Sequence, residues 1–206
     1  MEAEISLLHL VGTRKSRKFR KATNLKLHVG CGRELKEGWI NIDLDRVADL
    51  TLDVRRALPF LDNSCLIIYS EHFLEHLEYP GQVESFLKEA YRVLEPGRTF
   101  SIGVPDTEWP LRAYVQEDLD YFEFAKRMWH PKWCVTKMEH INFHFRQGEE
   151  HKFAYDFETP KYVLEKSGFV QVKRRRFDPS LDSSDRELGT LYVDAVKPLH
   201  HPTQNI

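Results

Sequence analysis

The amino-acid sequence predicts one α/β domain with an open sheet of parallel strands. Short segments that alternate apolar and polar residues are typical of strands, and segments with helical periodicity lie between them. Strands separated by helices form parallel βαβ units. The length of 206 residues suits one compact domain, and the 41% hydrophobic residues suffice for a core.

Four strands are predicted in the first half of the chain. The first alternates apolar and polar residues and runs into the glycine turn Gly30-Cys31-Gly32. The second alternates again and ends at Asp43. Residues with high β-propensity mark the third and the fourth. The predicted strands are residues 24–29, 38–43, 50–54 and 66–70.

Two helices and three further strands complete the predicted sheet. Apolar residues follow the i, i+3, i+4, i+7 pattern over residues 82–94, and Pro96-Gly97 ends this helix. The second helix begins at Thr159-Pro160, an N-cap followed by proline at the first helical position, and ends at Gly168. The further strands are residues 99–104, 169–173 and 190–196.

Two segments do not fit this alternation. Residues 1–23 contain a strongly basic run, and we predict an N-terminal basic arm there. Residues 107–156 hold three of the four tryptophans and four of the ten histidines. We predict that residues 107–156 form a cap-like insertion over one end of the sheet, within a single domain that spans residues 24–206.

The overall composition argues against several classes of protein. Thirty basic and 32 acidic residues give a formal net charge of −2, which disfavours a dedicated nucleic-acid binder. No apolar run approaches the roughly 18–20 residues of a membrane span, and the N-terminal charges are not ordered as in a signal peptide. Three cysteines without a CxxC spacing argue against a disulfide framework or a cysteine zinc site. We therefore expect a soluble, cytoplasmic protein without a membrane span.

Two basic runs leave the nature of a partner open. Residues 14–21 carry six positive charges, and residues 173–176 form a second run. They are either solvated surface or an attraction for an anionic partner, which could be a phosphorylated small molecule, a nucleic acid or an acidic membrane surface. Because the runs lack the interleaved aromatic residues of a base-stacking platform, they favour phosphate attraction over base reading.

Small or polar residues follow four successive predicted strands. They are the glycine turn at residues 30–32, Asp43, the pair Asp53-Val54, and the triplet Ser70-Glu71-His72. Ligands of open α/β sheets bind beyond the carboxyl ends of the strands, and a carboxylate after the second strand commonly accepts hydrogen bonds from a ribose. The nicotinamide-dinucleotide fingerprint is absent, because Leu35 stands where its third glycine would be.

Six motifs resemble, in order and spacing, those of class I S-adenosylmethionine-dependent methyltransferases of the type 11-like group. The motifs are Leu27–Gly32, Gly38–Asp43, Leu58–Phe60, Tyr69–His76, Arg92–Gly97 and Val104–Asp106, within a resemblance that runs from about residue 25 to residue 197. The resemblance implies a Rossmann-like sheet of seven mostly parallel strands with helices on both faces, an antiparallel strand at residues 190–196, and S-adenosyl-L-methionine as cofactor.

The resemblance also implies roles for individual residues. Gly30, Cys31 and Gly32 would line the methionine moiety, and Ser70 and Glu71 would lie near the sulfonium. The residues implied for the nucleoside are Asp43 for the ribose, Leu44 and the Val54 backbone for the adenine ring, and Asp53 for the adenine amino group.

The sequence departs from the family pattern around the first strand. His28 stands where the family has an acid, and we count it among the cofactor contacts although it supplies no fixed negative charge. Only eleven residues lead from Gly32 to Asp43, so we expect the first crossover to be reduced to a turn.

Three histidines are candidates for catalysis. Methyl transfer is an in-line displacement, and a hydroxyl acceptor benefits from a base near neutral pKa. His72 follows the fourth strand, and it is either this base or a locally bonded residue. His140 and His144 share a face and would serve in substrate binding, in catalysis or in packing. We assign no metal site, because a metal would need further ligands, for which Glu139, His151 and Asp156 are the candidates.

We predict a methyltransferase that acts on an oxygen or nitrogen atom of a small-molecule or carbohydrate-like acceptor, which could be anionic. The tetrapeptide of amino-methyltransferases (Asp/Asn-Pro-Pro-Tyr) and the Pro-Cys pair of cytosine methyltransferases are absent, which disfavours nucleic-acid bases. The alternatives are a binding module of the same fold without turnover, a nucleic-acid or protein methyltransferase, and an enzyme that transfers another group of the cofactor.

Overall fold

The structure, a computed structural model, describes residues 2–199 and contains a seven-stranded sheet. The strands are ordered β3-β2-β1-β4-β5-β7-β6, and β7 runs antiparallel to both of its neighbours while the other pairs are parallel. This topology confirms the predicted fold class. The strands are β1 (Leu25–Val29), β2 (Ile40–Asp43), β3 (Leu50–Thr51), β4 (Cys65–Glu71), β5 (Leu94–Pro105), β6 (Val170–Arg175) and β7 (Thr190–Val196).

Six α-helices accompany the sheet over residues 2–199. They are α1 (Glu2–Lys15), α2 (Gly81–Val93), α3 (Glu108–Gln116), α4 (Leu119–Met128), α5 (Lys137–Arg146) and α6 (Glu158–Lys166). The two helices read from the sequence correspond to α2 and α6. Helices α3, α4 and α5 follow β5 and pack around a small apolar cluster of their own, which includes Tyr121, Phe122 and Ile141. We call residues 108–149 the cap.

The main core lies where alternating side chains of the central strands meet α2 and α6. Leu27 and Val29 of β1 are fully buried in it, together with Phe86 of α2 and Leu164 of α6. Burying such side chains contributes about 1.5–3 kcal/mol each relative to exposure. The intervening residue His28 therefore faces the opposite side of the sheet, because successive side chains of a strand alternate between faces.

That opposite side of β1 is covered by polar residues. No helix connects β1 to β2 among the described residues; turns occupy this connection, as the short spacing predicts. Asn41 accepts a hydrogen bond from the Lys36 backbone at 2.9 Å, and its Oδ1 lies 3.3 Å from His28 Nδ1. The Lys36 ammonium lies over the Tyr69 ring, 4.9 Å from its centroid. A hydrogen-bonded layer thus replaces the first crossover helix.

The N-terminal segment is a helix that docks on the edge strand β3. Thr51 Oγ1 donates to the carbonyl of Leu8 at 2.8 Å, and the Asp53 backbone donates to His9 Nδ1 at 3.2 Å. Gly12 is the buried residue of α1, and a Cβ built on it would lie 2.2 Å from the Thr51 carbonyl oxygen. The helix therefore reaches β3 because this position carries no side chain.

Replacing Gly12 with alanine should destabilise this contact. The added methyl would strike backbone rather than a flexible side chain, and overpacking of this kind costs about 1–3 kcal/mol. We expect a lower urea midpoint and faster tryptic cleavage after Arg14 and Lys15. Gly81→Ala is the matched control. No described atom outside its own helix and its chain neighbours lies within 4 Å of the Cβ that the substitution adds, and alanine favours a helix. Equal stability of the two variants would contradict the docking of α1.

Two further observations concern the cysteines and the helices of the described residues. Cys31, Cys65 and Cys134 are all buried and free. Within residues 2–199, no helix has both the length and the apolar character that crossing a bilayer requires.

Candidate functional site

A cavity of about 530 Å³ lies at the carboxyl ends of β1, β2 and β3. The carboxyl ends of parallel strands are where open α/β sheets bind ligands. Most of the residues implied as cofactor contacts line this first cavity. They are Gly30, Cys31, Gly32, Asp43, Leu44, Asp53 and Val54.

The two glycines after β1 form a bare backbone wall. Gly30 has φ +69°, and a Cβ on it would fall 2.3 Å from the Phe73 ring. Gly32 has φ +50°, and no described atom lies within 4 Å of the position that its Cβ would take. Side chains rarely adopt such positive φ values, so glycine leaves the cavity open here.

Asp43 fixes the shape of this wall. Its Oδ2 accepts a hydrogen bond from the Gly32 backbone at 2.8 Å, and its Oδ1 accepts one from the Asp45 backbone at 2.9 Å. A carboxylate offers about four acceptor positions, so two of them stay open toward the cavity that Asp43 lines. A ligand hydroxyl pair can be bound there.

Asp53 lines the same cavity, but its acceptor positions are occupied. The Arg55 backbone and side chain donate three hydrogen bonds to its two oxygens, and Arg56 Nε lies 3.2 Å from Oδ2. Burial acts to raise the pKa of Asp53, but the hydrogen bonds of Arg55 and the two guanidinium charges lower it below its usual value. A ligand amino group can bind this carboxylate only after one of these contacts is displaced.

Three residues implied as cofactor contacts do not line the first cavity. His28 faces Asn41 and Tyr69, and burial lowers its pKa to about 4. Ser70 is buried, and its hydroxyl has no hydrogen-bond partner among the described residues. Glu71 is buried beneath the loop that follows β6, where its side chain accepts a hydrogen bond from the Tyr192 hydroxyl at 2.9 Å. Strand alternation and this loop turn the three side chains away from the cavity.

His72 stands at the junction of the first cavity with a second one. It has φ +50°, an uncommon value for a residue with a side chain, and its Nε2 lies 2.8 Å from Thr190 Oγ1. Burial, followed by the charge of Arg186 and neighbouring imidazoles, lowers the pKa of His72 to about 3. The imidazole is therefore neutral at pH 7. Arg186 also lines both cavities and donates to the Glu71 carbonyl at 3.2 Å.

The second cavity, of about 400 Å³, lies between the sheet and the cap. Among its lining residues are three further histidines, His130, His144 and His151. Burial is the main cause that lowers the pKa of each to about 4. Arg186 is the only lysine or arginine among the described residues that line this cavity. The space therefore presents neutral imidazoles, the Arg186 cation and the Asp185 carboxylate.

The structure separates the two candidate histidines of α5. His144 lines the second cavity together with His72. His140 does not line it: its side chain is buried, and its Nδ1 lies 2.7 Å from His130 Nδ1. His140 lies beside Phe122 of the cap cluster, with ring centroids 5.7 Å apart. The helical turn between His140 and His144 places them at different depths of the cap.

A buried acid lies beside the junction. Glu75 is 1% exposed, and within the described chain neither of its carboxylate oxygens has a hydrogen-bond partner. Burial raises its pKa to about 8. Its Oε1 lies 3.8 Å from His72 Nδ1 and 3.9 Å from His76 Nε2.

Several lining residues were not found from the sequence. Ile5 of α1 lines the first cavity, His76 lines it near Glu75, and Arg186 lines both cavities. The sequence of α1 lacks an apolar periodicity from which its docking on β3 could be predicted. Arg186 lies in a loop before β7, and its only signal was its position just before a strand that borders the site.

Comparisons with known proteins agree with this architecture. Residues 31–102 match a family model described as a methyltransferase domain. A SAM-dependent methyltransferase from Archaeoglobus fulgidus is similar at 18% identity and a TM-score of 0.53, over 91% of this chain and 93% of that one. One from Methanosarcina mazei is similar at 15% identity and a TM-score of 0.53, over 89% and 97%. No curated protein sequence matches the chain.

A third solved structure extends this likeness. A chain from the complex between the Haloferax volcanii Trm112 methyltransferase activator and a putative methyltransferase is similar at 15% identity and a TM-score of 0.52, over 96% of this chain and 93% of that one. At these identities the likenesses show the fold, which is that of class I methyltransferases. Together with the family-model match over residues 31–102, they confirm that the chain resembles class I S-adenosylmethionine-dependent methyltransferases.

Proposed function

We propose that this chain transfers a methyl group from S-adenosyl-L-methionine to an oxygen or nitrogen atom of a small, polar acceptor. The observation that carries the proposal is the junction of the two cavities at His72 and Arg186, which line both. One cavity would hold the cofactor and the other the acceptor, with the reacting atoms meeting at His72. Both volumes lie within the range of about 300–1,000 Å³ typical of small-molecule sites.

The residues of the first cavity fit the cofactor in most respects. The methyltransferase-domain match supports S-adenosyl-L-methionine as the cofactor. When bound, it supplies an electrophilic methyl group on a sulfonium. Gly30 and Gly32 would face its amino-acid part, Asp43 would bind the ribose hydroxyls, and Leu44 would pack on the adenine. Asp53 fits less well, because the arginines fill its acceptor positions.

The second cavity favours a polar acceptor. Arg186, which is also paired with Glu71, and Asp185 line it side by side, so that it offers both a cation and a carboxylate to the polar groups of an acceptor. Neutral imidazoles can accept hydrogen bonds from hydroxyl groups. The neutral imidazole of His72 would accept a hydrogen bond from the acceptor hydroxyl and hold it at the methyl group, and His144 would orient the acceptor. A sugar or a similar polyhydroxylated molecule satisfies these donors and acceptors.

The experiment that tests the proposal combines cofactor binding with product analysis. A thermal shift with S-adenosylmethionine or S-adenosylhomocysteine supports the assignment of the first cavity, and the absence of a shift with either would overturn it. Incubation with S-adenosylmethionine and a panel of sugars, sugar phosphates and amines should then release S-adenosylhomocysteine with one acceptor class. Methylthioadenosine would indicate transfer of another group, and cofactor binding without any turnover would support a binding module. Turnover only with RNA, DNA or protein would contradict the small acceptor.

Replacing Asp43 with alanine is expected to raise the Kd for S-adenosylhomocysteine about ten- to a hundredfold. Lost hydrogen bonds to a carboxylate cost about 1.5–3 kcal/mol, and 1.4 kcal/mol corresponds to a factor of ten. Isothermal titration calorimetry measures the change. Asp45→Ala is the matched control, because its backbone still donates to Asp43 and its side chain lies outside the lining of the cavity. Similar affinities of both variants would exclude the ribose role of Asp43.

A further inference from the structure

A buried carboxyl group without a hydrogen-bond partner points to a missing ligand. Glu75 is 1% exposed, and among the described residues no donor contacts either carboxylate oxygen. Nearly all buried polar side chains in proteins have a hydrogen-bond partner, so such an exception requires an explanation. A carboxylate is stable in the interior when it is paired with a charge or coordinates a metal.

Three imidazoles lie around this group, and two of them, those of His76 and His151, form a cluster with it, whereas His72 Nδ1 lies 3.8 Å from Glu75 Oε1 on the side of the junction. One ring nitrogen each of His76 and His151 and one oxygen of Glu75 all lie within 4.8 Å of one another. The rings of His76 and His151 meet edge to face, with centroids 5.1 Å apart. The three groups are held there by the backbone, because Lys152 and Phe153 both donate hydrogen bonds to the Glu75 carbonyl, at 2.7 and 3.3 Å.

The hydrogen bond of the His76 ring leaves one of its nitrogens free for a ligand. His76 Nδ1 donates to the Glu150 carbonyl at 3.1 Å, which leaves the lone pair on Nε2, the atom nearest Glu75. Metal-bound histidines almost always donate their other ring N–H to a carbonyl or a carboxylate, which fixes the tautomer and the ring orientation.

We propose that Glu75, His76 and His151 bind one divalent transition-metal ion, for which Zn²⁺ is the best match. Two imidazoles and one carboxylate with an open position are a donor set of catalytic zinc sites, whereas Mg²⁺ and Ca²⁺ prefer oxygen ligands. Binding would draw the three atoms closer together than in the ion-free arrangement, since Zn–N and Zn–O distances are about 2.0–2.2 Å.

The position of this site gives it a place in the reaction. His76 lines the first cavity and His151 lines the second, so the ion would lie between them. An ion with an open coordination position there can act as a Lewis acid toward a substrate oxygen. This last step rests on the proposed function, whereas the metal site itself does not.

The test measures metal binding without cofactor or acceptor, so its outcome is independent of methyl transfer. The untagged full-length chain is freed of metal with a chelator and titrated with ZnCl₂ by calorimetry. We expect one Zn²⁺ per chain, weaker binding of Mg²⁺, and a visible absorption band when Co²⁺ is used instead. His151→Ala and Glu75→Gln should each weaken Zn²⁺ binding at least tenfold and abolish the Co²⁺ band.

The control variant carries His200→Ala and His201→Ala, which lie outside the described residues, and it should bind Zn²⁺ like the native chain. Glu75→Gln keeps the size of the side chain, and circular dichroism verifies that both site variants are folded. The proposal is overturned if Zn²⁺ does not bind at one ion per chain, if His151→Ala and Glu75→Gln bind it with native affinity, or if the His200→Ala/His201→Ala variant loses it.

Discussion

Replacing His72 with asparagine is expected to lower kcat about 100-fold or more while changing the Kd for S-adenosylhomocysteine only about threefold or less. The His72 imidazole lies where the two cavities meet, and removing it would take away the group that holds the acceptor hydroxyl at the methyl group. Asparagine is the appropriate substitution because the backbone at this position has φ +50°, which asparagine tolerates better than alanine. Steady-state kinetics and calorimetry measure the two effects.

His140→Asn is the matched control for this prediction. The ring of His140 is buried against His130 and does not line the second cavity, so we expect its loss to lower stability rather than kcat. If His72→Asn lowered kcat and cofactor affinity equally, or failed to fold, His72 would have a structural role. If His140→Asn lowered kcat as strongly as His72→Asn, the assignment of catalysis to the junction would be wrong.

The strand ends could be predicted because each depends on local signals. Alternating apolar residues define β1 and β2, and glycine or aspartate directly after them marks where the chain leaves the sheet. Parallel strands bring these ends to one edge, which explains why Gly30, Asp43 and Asp53 line the same cavity. No contact between distant elements had to be known for this step.

The remaining site features depend on contacts between distant segments. Helix α1 contacts β3 through Gly12, although glycine by itself disfavours a helix. Arg186 reaches the junction from the loop before β7, and its position depends on its bonds to Glu71. Strand alternation determines on which side of β1 the His28 side chain lies. The position of His28 in a sequence motif does not determine this side.

The second basic run, residues 173–176, contains arginines that pair with acids in the fold. Arg175 is 12% exposed and binds Asp182 with two nitrogens, at 2.5 and 2.6 Å, and Asp194 with a third at 3.1 Å. Arg174 pairs with Glu108 at the start of α3. Of this run, Arg175 is largely buried and joins β6 to its surroundings, whereas Lys173, Arg174 and Arg176 stay exposed. The run is therefore mostly solvated surface.

The burial of His28 predicts that acid destabilises the protein through this residue. Burial lowers its pKa to about 4, whereas an imidazole in the unfolded chain titrates near 6.5. The folded state therefore binds fewer protons than the unfolded state between these values. The stabilising effect is complete above about pH 6.5 and is lost as the pH falls toward 4.

His28→Leu isolates this effect. Leucine suits the buried strand, and Asn41 Oδ1 keeps its hydrogen bond from the Lys36 backbone. Between pH 7 and pH 5, we expect the native chain to lose about 2 kcal/mol more unfolding free energy than the variant. Urea denaturation at the two pH values measures this difference, and because the other buried histidines are present in both proteins, the difference isolates His28. Parallel losses in the two proteins would mean that His28 takes up its proton without unfolding, and that the polar layer over β1 admits water or a second charge.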